Sequence, residues 1–196
     1  SCYALLARYG KEYVMRYPLE DFHGSTGSLI SSGSEAADRY TKLRLNELGD
    51  RMFNSLDKDT IDIWFDNFSN TDKFPSVLPS LGFYNIVNGT TGIATGISSS
   101  IPEFNIREVN EALIKLLWNP DISFDEIYCK PDFISGGIIL NEAEVKESLR
   151  VGKGKACCIR SVVDYDEKKN MLCVSEIPFG VFTNTICKEI QTLLND

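Results

Sequence analysis

Two stretches crowded with glycine, serine and proline interrupt this chain before any long element can form. Residues 18–33 carry Pro18, Gly24, Gly27, Gly33 and several serines, and residues 74–102 repeat that character around Gly89, Gly92 and Gly96. Such composition favours tight turns over uninterrupted helix or strand. The chain must therefore be assembled from short elements. With 43% hydrophobic and 24% charged residues it has a globular composition, and 196 residues suffice for one large domain or two small ones. No apolar run approaches the roughly 18 residues a membrane span needs. The N-terminus lacks a basic-then-apolar leader, so a cytoplasmic location is expected. The opening Ser1-Cys2-Tyr3, without methionine, is that expected of a piece of a longer protein.

Between the breakers, periodicity predicts the elements. A helix is expected over 3–13. Ser32-Gly33-Ser34-Glu35 has the form of a capping box opening a helix to about residue 56, with Leu45, Leu48, Met52, Phe53 and Leu56 at helical spacing. Tyr40 would lie two turns into that helix, near its positive dipole end. Residues 61–65 and 84–87 read as strands. Asn105 caps a helix over 106–118 whose apolar face is Val109, Leu113, Leu116 and Leu117. A strand at 138–140, a helix over 141–150, a hairpin of 155–163 with 171–177, and a final helix over 183–194 complete an α+β pattern. A mainly helical module is expected to give way to an α+β module near residue 70.

The chemistry-bearing residues begin with Arg39-Tyr40-Thr41. A tyrosine beside an arginine suits phosphodiester transesterification: the phenol attacks phosphorus while the guanidinium stabilises the phenolate and the crowded phosphate oxygens. Such a pair is also ordinary helix packing, so its company matters. The net charge of −8 argues against a nonspecific nucleic-acid coat, but residues 1–51 carry equal numbers of basic and acidic side chains, so the excess lies after them. Arg8, Arg16, Arg39 and Lys42 in this neutral segment can meet phosphate locally. The six cysteines show no CxxC and no Cys/His ligand spacing, which favours free thiols over zinc. The acidic run Asp57, Asp59, Asp62, Asp66 and Asp72 reads as a solvated surface. In Asn88-Gly89-Thr90-Thr91-Gly92-Ile93-Ala94-Thr95-Gly96, three glycines bracket small hydroxyl residues and one isoleucine. A tight turn between strand and helix accounts for it; the spacing is not that of a P-loop.

Taken in order, these motifs resemble the A subunit of bacterial type IIA DNA topoisomerases, gyrase or topoisomerase IV. The resemblance runs the length of the chain. It is carried by Arg16-Tyr17-Pro18-Leu19, Glu35-Ala36-Ala37-Asp38-Arg39-Tyr40-Thr41, Leu56-Asp57-Lys58-Asp59-Thr60-Ile61-Asp62 and the 88–96 stretch. Pro131-Asp132-Phe133 with Gly136-Gly137, Gly152-Lys153-Gly154-Lys155 and Glu176-Ile177-Pro178-Phe179 continue it. The resemblance implies part of a winged-helix DNA-binding domain (1–70) followed by part of an α/β tower domain (71–196). It makes Tyr40 the nucleophile that takes the 5′ phosphate of a cut strand, with Arg39 supporting it. Ile93 becomes a wedge between base pairs, with Thr91 near the DNA, and Arg8, Arg16 and Lys42 become backbone contacts.

The resemblance further implies two partners, double-stranded DNA and a B subunit, with Mg²⁺ and ATP on the latter. The parent protein would be a homodimer within an A2B2 complex associated with the nucleoid. Ala4 stands where the family has an acidic residue in its quinolone pocket. Phe22, Ser25 and Thr26 also depart from the pattern, as expected of a divergent or phage-like member. A DNA-binding and bending module without cleavage is the alternative. A tyrosine recombinase would need several arginines and histidines, and His23 is the only histidine in the chain.

Overall fold

The computed structural model describes residues 2–54, 56, 60–78 and 82–195, in which short helices alternate with two-stranded antiparallel sheets. This is an α+β arrangement. Helix α1 (Cys2–Tyr9) stops short of residue 13 because Gly10 is buried against Phe22: a Cβ there would meet the Phe22 side chain at 3.0 Å. The chain then bends through Arg16-Tyr17-Pro18-Leu19 into β1 (Glu20–His23), which pairs with β2 (Lys42–Leu45), Glu20 opposite Leu45 and His23 opposite Lys42.

The helix expected from the capping box is absent. The Ser34 hydroxyl accepts from Ser28 N–H (3.1 Å) and donates to the Ser31 carbonyl (3.0 Å), while Glu35 pairs with Lys11 (3.1 Å), so neither caps a helix. Helix α2 covers only Glu47–Phe53, and its cap is Asn46, whose side-chain oxygen accepts from Gly49 N–H at 2.9 Å. The apolar spacing of Leu48, Met52 and Phe53 thus belongs to a two-turn helix. Leu43 and Leu45, alternating with Lys42 and Arg44, have the period of a strand.

Strand β3 (Trp64–Asp66) turns back through Asn70, at φ 53°, onto β4 (Lys73–Pro75), with the Phe65 and Phe74 rings 5.7 Å apart. Asp57, Lys58 and Asp59 of the preceding motif lie outside the described residues. Residues 84–87, read as a strand from their β-formers, are instead a helical turn, α3 (Tyr84–Val87), ended by Asn88. Strands β5 (Thr90–Ala94) and β6 (Ile97–Ile101) follow as a hairpin. Helix α4 (Ile106–Trp118) starts at Asn105 as expected, the cap accepting from Arg107 N–H at 3.0 Å. After α5 (Phe124–Ile127), β7 (Ile138–Ile139) and α6 (Glu142–Val151), the strand expected at 155–163 is divided. Its β8 (Ile159–Arg160) pairs with β7, and its β9 (Val162–Asp166) pairs with β10 (Met171–Glu176). The chain ends in α7 (Thr183–Asn195).

Among the described residues the buried apolar side chains are few: Met15, Met52, Val87, Phe104, Ile139 and Val145. At about 1.5–3 kcal/mol per fully buried side chain, so small a set leaves the joining of elements to polar contacts. Asn46 donates to the Pro18 carbonyl (2.8 Å), and its own N–H to the Leu19 carbonyl (2.9 Å). Buried Asn88 accepts from Tyr17 N–H (2.8 Å) and donates to the Tyr17 carbonyl (3.1 Å). Arg16 donates to the Asp132 carbonyl (2.6 Å) and pairs with its carboxylate (3.3 Å). Glu103, only 3% exposed, accepts from Ile134 N–H at 2.9 Å, and burial pushes its pKa up to about 6 despite that bond and Arg16.

The folded state thus holds the Glu103 proton more tightly than the unfolded chain. The resulting stability is fully present below about pH 4.5 and lost as the pH rises through about 6. Glu103→Gln, which keeps an acceptor for Ile134, is expected to stabilise the fold at pH 7 by up to about 2 kcal/mol. It should also flatten urea-unfolding stability between pH 4.5 and 6.

Candidate nucleic-acid interface

Tyr40 stands at the end of a 3-10 turn, Asp38–Tyr40, closed by Tyr40 N–H donating to the Ala37 carbonyl at 2.9 Å. It does not lie inside a helix, so no helix dipole acts on its phenol. The ring is 71% exposed, and the Arg39 guanidinium carbon lies 4.8 Å from its centroid. A cation over the ring face is held there by the ring's quadrupole. Arg39 is exposed as well, so phenol and guanidinium face outward together.

The turn is braced from two sides. Thr41 leads into β2, and its side chain packs on the backbone of Gly24, where φ is +127° and a Cβ would come within 2.7 Å of Thr41 Cγ2. Only glycine supplies both that conformation and that space. On the other side the 25–37 loop is folded on itself: Ala36 N–H donates to the Ser25 carbonyl (2.9 Å), and Ser28 bridges Ser31. Tyr13 donates its hydroxyl to the Thr26 carbonyl (3.1 Å). The first amides of α7, Thr183 and Asn184, donate to the Leu29 and Ile30 carbonyls, both at 2.9 Å. The Glu35 carboxyl is held below its usual range, first by a backbone N–H and then by Lys11.

Burial, with Glu20 and Tyr9 nearby, pushes the Tyr84 phenol up, and burial does the same to Tyr128.

The second part of the interface is the β5–β6 hairpin. Its register sets Ile93 opposite Ser98 and Thr91 opposite Ser100, with Gly96 (φ 75°) in the turn. Because strand side chains alternate, Thr91 and Ile93 share one face. Ile93 is 86% exposed, an apolar tip flanked by hydroxyls. The tight turn expected for this stretch is thus a projecting arm. At the foot of the arm, Gly89 (φ +67°) lets the chain pass close to the Ile101 carbonyl, which a Cβ would approach to 2.9 Å.

The remaining candidates are dispersed. Arg8, in the last turn of α1, and Lys42, in β2, are exposed. Arg16 is turned inward onto Asp132. Ala4 lies on α1, with its side chain outside the described residues. Among the described residues no three His, Cys, Asp or Glu side chains converge as a metal site would require, and no helix is long and apolar enough to cross a membrane. The sequence reading missed the pairing of Asn88 with Tyr17 and of Asp132 with Arg16. Both lie within the quoted motifs, but neither partner is near in sequence.

Against known proteins, the whole chain, residues 1–196, matches the family of DNA gyrase/topoisomerase IV A subunits. It is 37% identical over 201 residues to the DNA gyrase A subunit of Fibrobacter succinogenes, covering 100% of this chain and 22% of that protein. The DNA gyrase A subunit of Thermotoga maritima is 35% identical over 199 residues, 99% of this chain and 24% of that protein. The DNA topoisomerase 4 A subunit of Staphylococcus epidermidis is 34% identical over 202 residues, 100% of this chain and 25% of that protein. The chain therefore spans about a quarter of the length of these relatives.

Both exposed side chains are dispensable to the fold. Tyr40→Phe and Ile93→Ala are each expected to shift unfolding free energy by less than about 0.5 kcal/mol in urea titrations.

Proposed function

As the chain belongs to the family of DNA gyrase/topoisomerase IV A subunits, we propose that it is the part of a type IIA DNA topoisomerase that cleaves and bends duplex DNA. The observation that carries this reading is the outward-facing Arg39–Tyr40 stack on its braced turn. The Tyr40 phenol oxygen, on losing its proton, attacks the scissile phosphorus. The bond from phosphorus to the 3′ oxygen breaks, that oxygen takes up a proton, and Tyr40 is left esterified to the 5′ phosphate. A phenol leaves more readily than an alkyl alcohol, so the freed 3′ hydroxyl reverses the step without an external energy source. Arg39 offsets charge as it develops on the phenolate and the phosphate oxygens.

Ile93 enters between base pairs and kinks the duplex, an apolar wedge whose unstacking cost is offset by the contacts bending allows. Thr91 sits on the same hairpin face, near the DNA backbone. Arg8 and Lys42 make phosphate contacts that position without reading sequence; Arg16 is engaged by Asp132. Residues 1–70 form part of a winged-helix domain and 71–196 part of a tower domain. The short β1–β2 pair between α1 and α2 supports the first assignment. On the family resemblance, Mg²⁺ and ATP are assigned to the partner B subunit. The complex is A2B2, built on a homodimer of A subunits, and acts in the cytoplasm at the nucleoid.

The test uses a full-length A subunit containing this sequence, reconstituted with its B subunit, Mg²⁺ and an end-labelled duplex. Denaturation with detergent should trap DNA covalently on the A subunit, and Tyr40→Phe should reduce that product to background. Attachment at wild-type level in Tyr40→Phe would refute the nucleophile. Binding without attachment in either protein would favour a bending module that does not cleave. In the same complex Ile93→Ala should lower the bend of a doubly dye-labelled duplex, read by energy transfer.

A further inference from the structure

The wedge and the nucleophile lie on elements separated by some fifty residues, yet cleavage by a bent-duplex mechanism needs them in fixed relation. Among the described residues a series of strand pairings and hydrogen bonds leads from one to the other. Tyr40 is followed at Lys42 by β2, which pairs with β1; β1 is preceded by the bent 16–19 strip. Within that strip Tyr17 exchanges both backbone groups with one side chain, the Asn88 carboxamide, at 2.8 and 3.1 Å. Asn88 is 6% exposed and stands two residues before β5, the strand that carries Ile93. The returning strand is tied at the same place. Phe104 N–H donates to the Val87 carbonyl (3.4 Å), Asp132 N–H donates to the Glu103 carbonyl (2.8 Å), and Arg16 holds Asp132.

We propose that Asn88 is a positioning residue, which by gripping the Tyr17 peptide sets the Ile93 hairpin in register with the strand pair that follows the Tyr40 turn. The inference rests on the cleavage reading above. A primary amide suits the task because it presents an acceptor and a donor on one side chain, as a neighbouring strand's backbone would. It thereby satisfies both backbone groups of a residue that has no sheet partner. Arg16, on the adjacent residue, fixes the same strip to Asp132 and so supports the hairpin's second stem.

Single-turnover cleavage by the full A2B2 complex on a suicide duplex that prevents religation tests this. Asn88→Ala is expected to lower the rate constant for covalent attachment about tenfold or more. The DNA concentration at half-saturation and the final amplitude should remain those of wild type. A role in folding alone would leave the rate constant unchanged and reduce the amplitude, and that result would overturn the proposal. Should Asn88→Ala fail to fold, Arg16→Lys supplies the second variant. It keeps the charge but loses the forked donation to Asp132, and a lower rate constant at unchanged half-saturation is expected. A weaker half-saturation at an unchanged rate constant would instead mean that Arg16 contacts phosphate, against the proposal. Tyr40→Phe separates the two levels. Attachment surviving in Tyr40→Phe would refute the cleavage reading and this inference with it. Attachment lost there but unchanged in rate in Asn88→Ala and Arg16→Lys would refute the positioning role alone.

Discussion

The arrangement depends on how the irregular strip Arg16-Tyr17-Pro18-Leu19 is held. It belongs to no helix or sheet, so its backbone donors and acceptors must find partners elsewhere. Asparagine side chains supply many of them. Asn46 takes the Pro18 and Leu19 carbonyls through its side chain and its own N–H, and Asn88 takes both backbone groups of Tyr17. Gly49, buried beneath the Leu19 carbonyl, leaves no room for a Cβ. Further along, Asn141 does the same for another stretch, accepting from Cys158 N–H (2.8 Å) and donating to the Ala156 carbonyl (2.9 Å). With few buried apolar side chains, this chain relies on amides that stand in for missing strands.

That economy explains the exposed chemistry. Tyr40 and Ile93 make little contribution to a core, so they are free to point outward from elements held at their bases. The Tyr40 turn is pressed between Gly24 and the self-bonded 25–37 loop, and α7 holds that loop at Leu29 and Ile30. The Ile93 hairpin is held at its foot by Asn88 and Glu103. A two-stranded hairpin alone is marginal in water, and anchoring its base is the available remedy. The anchor carries its own electrostatic cost, because Glu103 is buried with one oxygen lacking a protein partner and its pKa is raised.

The departures from the sequence reading share a cause. Local signals at these residues are overridden by partners that lie elsewhere in the chain. Ser32 to Glu35 has the form of a capping box, yet Ser34 and Glu35 are occupied by Ser28, Ser31 and Lys11, partners that periodicity does not reveal. Tyr84, Ile86 and Val87 are strand formers in a helical turn, where tertiary demand sets Asn88 against Tyr17 and overrides propensity. Gly92 looked like a loop residue but lies in a strand, where its missing side chain gives room to Ser99. Helices α4, α6 and α7 and strand β10 matched closely, because their apolar spacing is local, whereas the strand before β10, expected over 155–163, runs over Val162–Asp166.

By itself the sequence determined the α+β class, the amphipathic helices of the later part and the motifs that carry the family, among them Arg39-Tyr40 and the stretch around Ile93. Those follow from residue type and short spacing, which the chain carries whatever its fold. Only the tertiary structure decided that Tyr40 sits on a braced turn, that Ile93 tips a hairpin and that Arg16 faces inward. The bracing of the turn and the placing of Arg16 depend on hydrogen bonds between residues far apart in the chain, and no local pattern encodes which distant carbonyl a donor will meet.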